Sequence, residues 1–255
     1  LLNNKHVVSE ENKKALAWLK ENDYNIIFAS GRVSSSVDYI MKKSGLKGYI
    51  VANNGAIVLD EDRNIIQDNP LDYDKIKKVT ALAQEEGVYF HMYDRNTFYS
   101  NKFWQERVDH LLTDEGSYQI EIYIDENIID HIVNEKISIY KVQLTVPVEK
   151  QEGLFRKLNE IDGLYIAKSG DTYIEVMDEG VNKWQGIQAV IRQEEKSAEK
   201  IVAIGDFDND IPMIGGADIG IAMGNANDKV KSMADYITLT NEDNGFARAV
   251  EYIIK

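Results

Sequence analysis

Cysteine is absent from the 255 residues. That removes a disulfide framework, a thiolate nucleophile and every cysteine-ligated zinc site, and it fits a cytoplasmic protein. Basic side chains are in the minority: 29 Lys and Arg against 43 Asp and Glu leave a formal net charge of -14. Such a chain repels polyanions at long range, so non-specific binding to nucleic acid or to an anionic membrane is not expected. One local site can still oppose the overall field, which keeps small anionic substrates admissible. No uninterrupted apolar stretch approaches the roughly 18 residues of a membrane helix. The opening LLNNKHVVSE shows no signal-peptide pattern and reads as the middle of a segment, two leucines followed at once by a polar turn. Repeats and low-complexity linkers are missing as well. The four histidines, His6, His91, His110 and His131, are too scattered to form a metal cluster.

What is present is a soluble globular composition, 44% hydrophobic and 28% charged. The length exceeds the roughly 150 residues of one domain, so two domains are expected, interrupted rather than tandem. SEENKKALAWLKEN (9–22) predicts a helix capped by Ser9, with Ala15, Leu16 and Leu19 as its apolar stripe. YNIIFAS follows as a short strand without clean alternation, which predicts burial on both faces. RVSSSVDYIMKKSG is the next helix, with Val33, Val37, Ile40 and Met41 inward and Gly45 as terminator. YIVAN is another strand, and the β-α-β order signs a parallel α/β layer. AIVLDEDRNIIQ reads as a hairpin around an acidic turn.

The pattern then changes. Residues 71–174 alternate helices such as YDKIKKVTALAQEEG with the strands VYFHMY, YQIEIYI, ISIYKVQLTV and DTYIEV. Frequent tyrosines there suggest a sheet with one partly exposed face. From about residue 183 the first pattern returns: helix KWQGIQAVIRQ, strand KIVAIGDF, short helix NDIPMIGGA, strand IGIAMG, helix ANDKVKSMA, strand YITLT and a closing helix GFARAVEYII. The fold class is therefore α/β, a Rossmann-like parallel-sheet core formed by residues 1–70 and 175–255. An α+β domain, residues 71–174, is inserted into it. Trp18 and Trp184 fall on helices as packing residues. Tyr93, Tyr123, Tyr140 and Lys141 fall in strands of the insert, where alternation does not say which face looks inward.

In a parallel α/β layer, loops at the carboxyl ends of strands are the ligand positions, and four stand out. In FASGR, Ser30, Gly31 and Arg32 lie between a strand and a helix, where a hydroxyl, free N–H groups and a glycine can hold an anion. A simple serine cap explains Ser30 equally. In ANNGA, Asn53, Asn54 and Gly55 are common turn formers. In EGVNKWQG, Lys183 sits at a helix start, where its charge meets the positive end of the dipole. A bound anion would remove that penalty, and a snorkelling surface lysine is the plainer alternative. In IVAIGDFDNDIPMI, Asp206 follows the strand directly, a hard oxygen donor suited to Mg²⁺. Asp210 can reach back to support it, and Asn209 offers an amide to an anion or the metal shell. Asp208 is expected to face water; a solvated acidic turn capping a helix remains the alternative. Together these are parts that hold a transferring phosphoryl group.

IIFASGR, VANNGA, GVNKWQGI, GDFDNDIPMI, GIAMGNA, ADYIT and NEDNGFARAV, in this order and spacing, closely resemble the haloacid dehalogenase-like (HAD) hydrolases, specifically their Cof-like Mg²⁺-dependent phosphatases. The resemblance covers essentially the whole chain. It implies that Ser30 binds phosphate and that Lys183 contacts phosphate and the nucleophile. It makes Asp206 a metal ligand, with Asp210 in the same acidic metal cluster and Asn209 near phosphate or metal. Asn53 and Asn54 match a loop at the active-site mouth, and the insert matches a cap that closes over small phosphorylated metabolites. The family's first motif, Asp-x-Asp-Gly-Thr, should end where Leu1 and Leu2 stand, so the nucleophilic and acid/base aspartates are expected upstream of Leu1. The implied activity is Mg²⁺-dependent phosphate-monoester hydrolysis by a monomer or weak homodimer. The alternatives are a non-catalytic phosphometabolite-binding or regulatory protein, or a phosphomutase.

Overall fold

The computed structural model describes residues 1–105, 120–194 and 199–254; His110 and the start of YQIEIYI lie outside them. Helix α1 (Glu10–Glu21) opens on Ser9, whose hydroxyl accepts from the Asn12 N–H, and it buries Leu16 and Leu19. Strand β1 (Ile27–Ala29), helix α2 (Ser34–Lys43) and strand β2 (Tyr49–Ala52) follow. The two strands run parallel, Ile27 opposite Tyr49. Helix α2 buries Val37 and Met41, whereas Ile40 is half-buried at the edge of the stripe. Strands β3 (Ile57–Leu59) and β4 (Ile65–Asp68) form the expected hairpin and complete a sheet of order β1-β2-β3-β4.

The insert builds a second sheet from β5 (Tyr89–Tyr93), β6 (Thr97–Ser100), β7 (Glu121–Ile124), β8 (Lys141–Thr145), β9 (Leu164–Gly170) and β10 (Tyr173–Asp178), in the order β7-β6-β5-β8-β10-β9. Helices α3 (Tyr73–Glu85), α4 (Ile128–Asn134) and α5 (Val148–Asn159) cover one face. Ile76, Val79, Ile128, Ile132, Leu154 and Leu158 meet Phe90, Met92, Val142, Leu144, Ile174 and Val176 there. Strand alternation sends Tyr89, His91, Tyr93, Lys141 and Glu175 to the opposite face, toward the core domain. Strand β10 of the inserted sheet runs unbroken from Tyr173 to Asp178.

The core resumes with α6 (Lys183–Gln193), β11 (Val202–Gly205), α7 (Ile211–Gly216), β12 (Ile219–Ala222), α8 (Asp228–Met233), β13 (Tyr236–Ile237) and α9 (Gly245–Ile253). Strands β11, β12 and β13 form a parallel sheet of their own. Among the described residues β1 pairs only with β2, and β11 only with β12. Both line one cleft. Strand β1 is half-buried, where burial on both faces was expected. Helix α6 ties the halves together: Ile187 and Val190 pack with Tyr49 and Val51 of one sheet and with Ala203 and Met213 of the other side. Among the described residues no helix is long and apolar enough to cross a membrane.

Helix α6 approaches β2 closely because Gly186 has no side chain. A Cβ there would stand 2.5 Å from Val51 Cγ1 and 3.2 Å from Gly55 Cα. Alanine in a helix interior ordinarily gains about 1 kcal/mol over glycine, while overpacking costs about 1–3 kcal/mol. The clash falls partly on backbone, so it wins. Gly186→Ala is expected to lower stability by about 1 kcal/mol or more in urea unfolding.

Candidate active site

The site gathers where β1, β2 and β11 end. Gly205 closes β11, and a 3-10 turn, Asp208–Asp210, carries Asp210 back over it. A Cβ at Gly205 would lie 2.5 Å from Asp210 Cβ, so the glycine allows the fold-back. Asp210 Oδ2 then accepts from the N–H groups of Asp206 (2.8 Å) and Phe207 (3.1 Å). Its Oδ1 receives Lys183 Nζ at 2.5 Å. Both side chains of this ion pair are buried. Lys183 is the first residue of α6, whose cap is Asn182 accepting from the Gln185 N–H. Its charge at the helix start is therefore met by a buried carboxylate, and a snorkelling surface lysine is excluded.

Asp206 is placed by this turn but is itself lightly held. Its Oδ2 accepts from Asn225 Nδ2 at 3.0 Å, and the side chain lines the cleft. Burial first, then the like charge of Asp210, pushes its carboxyl above the ordinary value of 3.8. A divalent cation would reverse that pressure. The surrounding donors are oxygen-rich, and Asn209 Oδ1 is a buried acceptor with no hydrogen-bond partner. Asp206 together with Asn209 thus suits a hard cation such as Mg²⁺, which takes one or two protein carboxylates and keeps several waters. The second expected ligand, Asp210, has both oxygens engaged within the fold. Asp208 lies on the outer side of the turn, accepting from Asn227 (2.8 Å) and Lys229 (3.0 Å).

Ser30 is not a helix cap. Helix α2 starts at Ser34 with Val33 at its cap position and no side-chain cap bond. Ser30 instead donates its N–H to Val51 O and accepts the Arg32 N–H on Oγ at 3.1 Å. Its hydroxyl hydrogen remains to be aimed at an acceptor. Ser30, Gly31, Arg32, Lys183, Asp206, Asn209 and Asp210 all line the one cleft. The Arg32 guanidinium turns to His6, Nη2 to Nδ1 3.3 Å.

Asn53 and Asn54, expected at the mouth, are completely buried. Asn53, Asn54 and Gly55 have successive φ values of 45, 57 and 102°, the region that Asn and Gly tolerate best. The Asn54 side chain accepts from Asn209 Nδ2 (3.1 Å) and donates to Glu175 Oε2 (2.7 Å). The insert covers this loop, which no local turn pattern could announce. Asn225 and Glu175 were missed: Asn225 follows β12 and Gly224, a strand-end position of the same kind as Asp206, and Glu175 is one polar residue in an alternating strand. Of the other residues singled out, Tyr123 stacks on His131 and Tyr140 bonds Arg95. Trp184 packs against Gly216, whereas Trp18 is 37% exposed beside Tyr24.

With this geometry the comparisons are unambiguous. A model of the haloacid dehalogenase-like hydrolases matches residues 1–250, and the chain belongs to that family. Phosphatase YwpJ of Bacillus subtilis (strain 168) is 24% identical over 274 residues, 100% of this chain and 96% of its own. The 5-amino-6-(5-phospho-D-ribitylamino)uracil phosphatase YcsE of that organism is 29% identical over 252 residues, 99% of this chain and 91% of its own. A solved haloacid dehalogenase-like hydrolase from B. subtilis shares the fold with a TM-score of 0.89 at 24% identity, covering 99% of this chain and 96% of that one. The chain is thus an enzyme of the phosphoric monoester hydrolase class.

Two outcomes follow from the carboxylates. Removing either member of a buried ion pair costs about 3–5 kcal/mol, and Asp210→Ala also orphans two N–H groups. Asp210→Ala is therefore expected to destabilise more than Lys183→Met in urea unfolding. For Asp206, the folded value lies above the unfolded one. Its stabilisation is complete below the unfolded value and lost as pH rises through the folded value. Metal-free Asp206→Asn should melt higher than the unmutated protein near neutral pH, with the gap narrowing as pH falls toward 3.8.

Proposed function

We propose that the protein is a Mg²⁺-dependent phosphatase hydrolysing small phosphorylated metabolites, sugar phosphates or similar, through an aspartyl-phosphate. The observation that carries this reading is the buried Lys183–Asp210 pair, set behind Asp206 in the cleft that Ser30 also lines. A phosphoryl group held there meets the Ser30 hydroxyl, whose lone pair already takes the Arg32 N–H. Lys183 spends one of its three N–H donors on Asp210 and has others for phosphoryl oxygen and the attacking carboxylate. Mg²⁺ held by Asp206, with Asn209 beside it, supplies neutralisation of phosphoryl charge.

Asp210 and Glu175 are committed to lysines. The attacking and acid/base aspartates of this reading are those that the family resemblance puts ahead of Leu1. The first attacks phosphorus while the ester P–O bond breaks, and the second gives the leaving oxygen its proton. Water, deprotonated by the second, then frees phosphate and restores the first. The inserted domain, as a cap over the cleft, excludes water during the first step and selects the leaving group. The relative named a 5-amino-6-(5-phospho-D-ribitylamino)uracil phosphatase makes phosphorylated sugar alcohols with an attached ring worth including among substrates.

The test is phosphate release by the full-length protein with Mg²⁺ on sugar phosphates, nucleotides, ribitylaminopyrimidine phosphates, pyridoxal phosphate and flavin mononucleotide. Asp206→Ala and Lys183→Ala are each expected to lower kcat by ~10²-fold or more. No turnover on the whole panel, or unchanged rates in both variants, defeats the reading. Rearranged phosphosugar in place of free phosphate would identify a phosphomutase.

A further inference from the structure

A second buried ion pair lies on the inserted domain's cleft-facing side. Lys141 on β8 and Glu175 on β10 meet at 2.7 Å, with side chains 5% and 4% exposed. Lys141 Nζ also lies 5.0 Å from the centre of the Tyr93 ring. The pair belongs wholly to the insert, yet each member bonds the core. Lys141 Nζ donates to Gly31 O at 2.7 Å, and Glu175 Oε2 accepts from Asn54 Nδ2 at 2.7 Å. Asn54 continues the chain both ways: its side chain accepts from Asn209, and its N–H donates to Ser30 O at 3.0 Å. A Cβ on Gly31 would lie 3.1 Å from Asn54 Oδ1 and 3.6 Å from Glu175 Oε1. The bare glycine thus lets this network close on its loop.

Burying two charges where a pair of apolar side chains would pack as well is a poor source of stability. What the pair does supply is direction. Its bonds reach the loop that carries Ser30 directly and Asn209 through Asn54; the other described hydrogen bond from the inserted sheet's side chains to Asn54 is the weak one that Met177 Sδ accepts at 3.6 Å. A preformed neutral pair can also leave and re-enter the interface without stranding a lone charge.

We infer that Lys141 and Glu175 are positioning residues that set the Ser30–Arg32 loop and, through Asn54, Asn209 when the inserted domain is docked. The inference rests on the phosphatase reading. It adds that phosphate-loop geometry is completed from the inserted domain by residues that do not touch the phosphoryl group.

The experiment compares full-length protein, Lys141→Met, Glu175→Gln and the double variant Lys141→Met/Glu175→Leu. Melting temperature, kcat, KM and the affinity for inorganic phosphate with Mg²⁺ are measured for each. Lys141→Met leaves a buried carboxylate unpaired and is expected to lower the melting temperature. The double variant removes both charges and is expected to regain it. Its kcat and its phosphate affinity are expected to stay about tenfold or more below those of the unmutated protein, as for a displaced positioning group. Recovery of kcat and phosphate affinity together with melting temperature would make the pair structural only and overturn the inference. So would unchanged kcat and phosphate affinity in both single variants. If the unmutated protein binds phosphate but hydrolyses no ester, the phosphatase reading falls, and the phosphate affinities still decide the positioning role. If it does not bind phosphate, both fall.

Discussion

The carboxylate of Asp210 is the constraint on which the site depends. Its two oxygens hold the ammonium of Lys183 from one segment and two backbone N–H groups from its own turn. Without the first bond, α6 would begin with a buried positive charge at the positive end of its own dipole. Without the others, the turn after β11 would leave donors unsatisfied where water is scarce. One side chain therefore fixes both the start of the helix that bridges the two core sheets and the direction of Asp206. The gap between Gly205 and the next turn is narrow enough that no other residue at 205 would admit it.

A division of labour follows. Asp206 stays lightly bonded and electrostatically stressed because Asp210 is not. The stress, a carboxyl raised by burial and by its neighbour's charge, is one that the cation proposed for this site would relieve. Asn54 plays the corresponding part on the other side, joining the β11 turn, the β1 loop and the inserted sheet through one amide. Both side chains are spent on bonds within the fold, and those bonds place the groups that face the cleft.

The parts legible from sequence were those encoded locally. The parallel β-α-β start, the hairpin, the Ser9 cap and the return of strand–helix alternation after the insert all depend on neighbours within a turn or a strand. Lys183 was conspicuous as a misplaced charge, but its partner lies 27 residues later, and sequence spacing carries no record of that encounter. Ser30 could be read as cap or ligand, and only the observed helix start at Ser34 separates the two. Asn53 and Asn54 announced a turn with positive φ, and nothing in their own stretch said that another domain would bury it. Lys141 and Glu175 sit in strands where alternation gives a face but not its occupant.

Gly55 and Gly186 bring the Asn53–Gly55 loop and α6 together backbone to backbone: a Cβ on Gly55 would fall 2.3 Å from Asn182 O, and one on Gly186 3.2 Å from Gly55 Cα. A contact made by main chain alone has no side chain whose replacement could adjust it. The placing of Lys183 over the buried asparagines thus rests on backbone, and not on a side chain that can drift. Variation that alters what the protein recognises is channelled to the strand ends and to the inserted sheet above them.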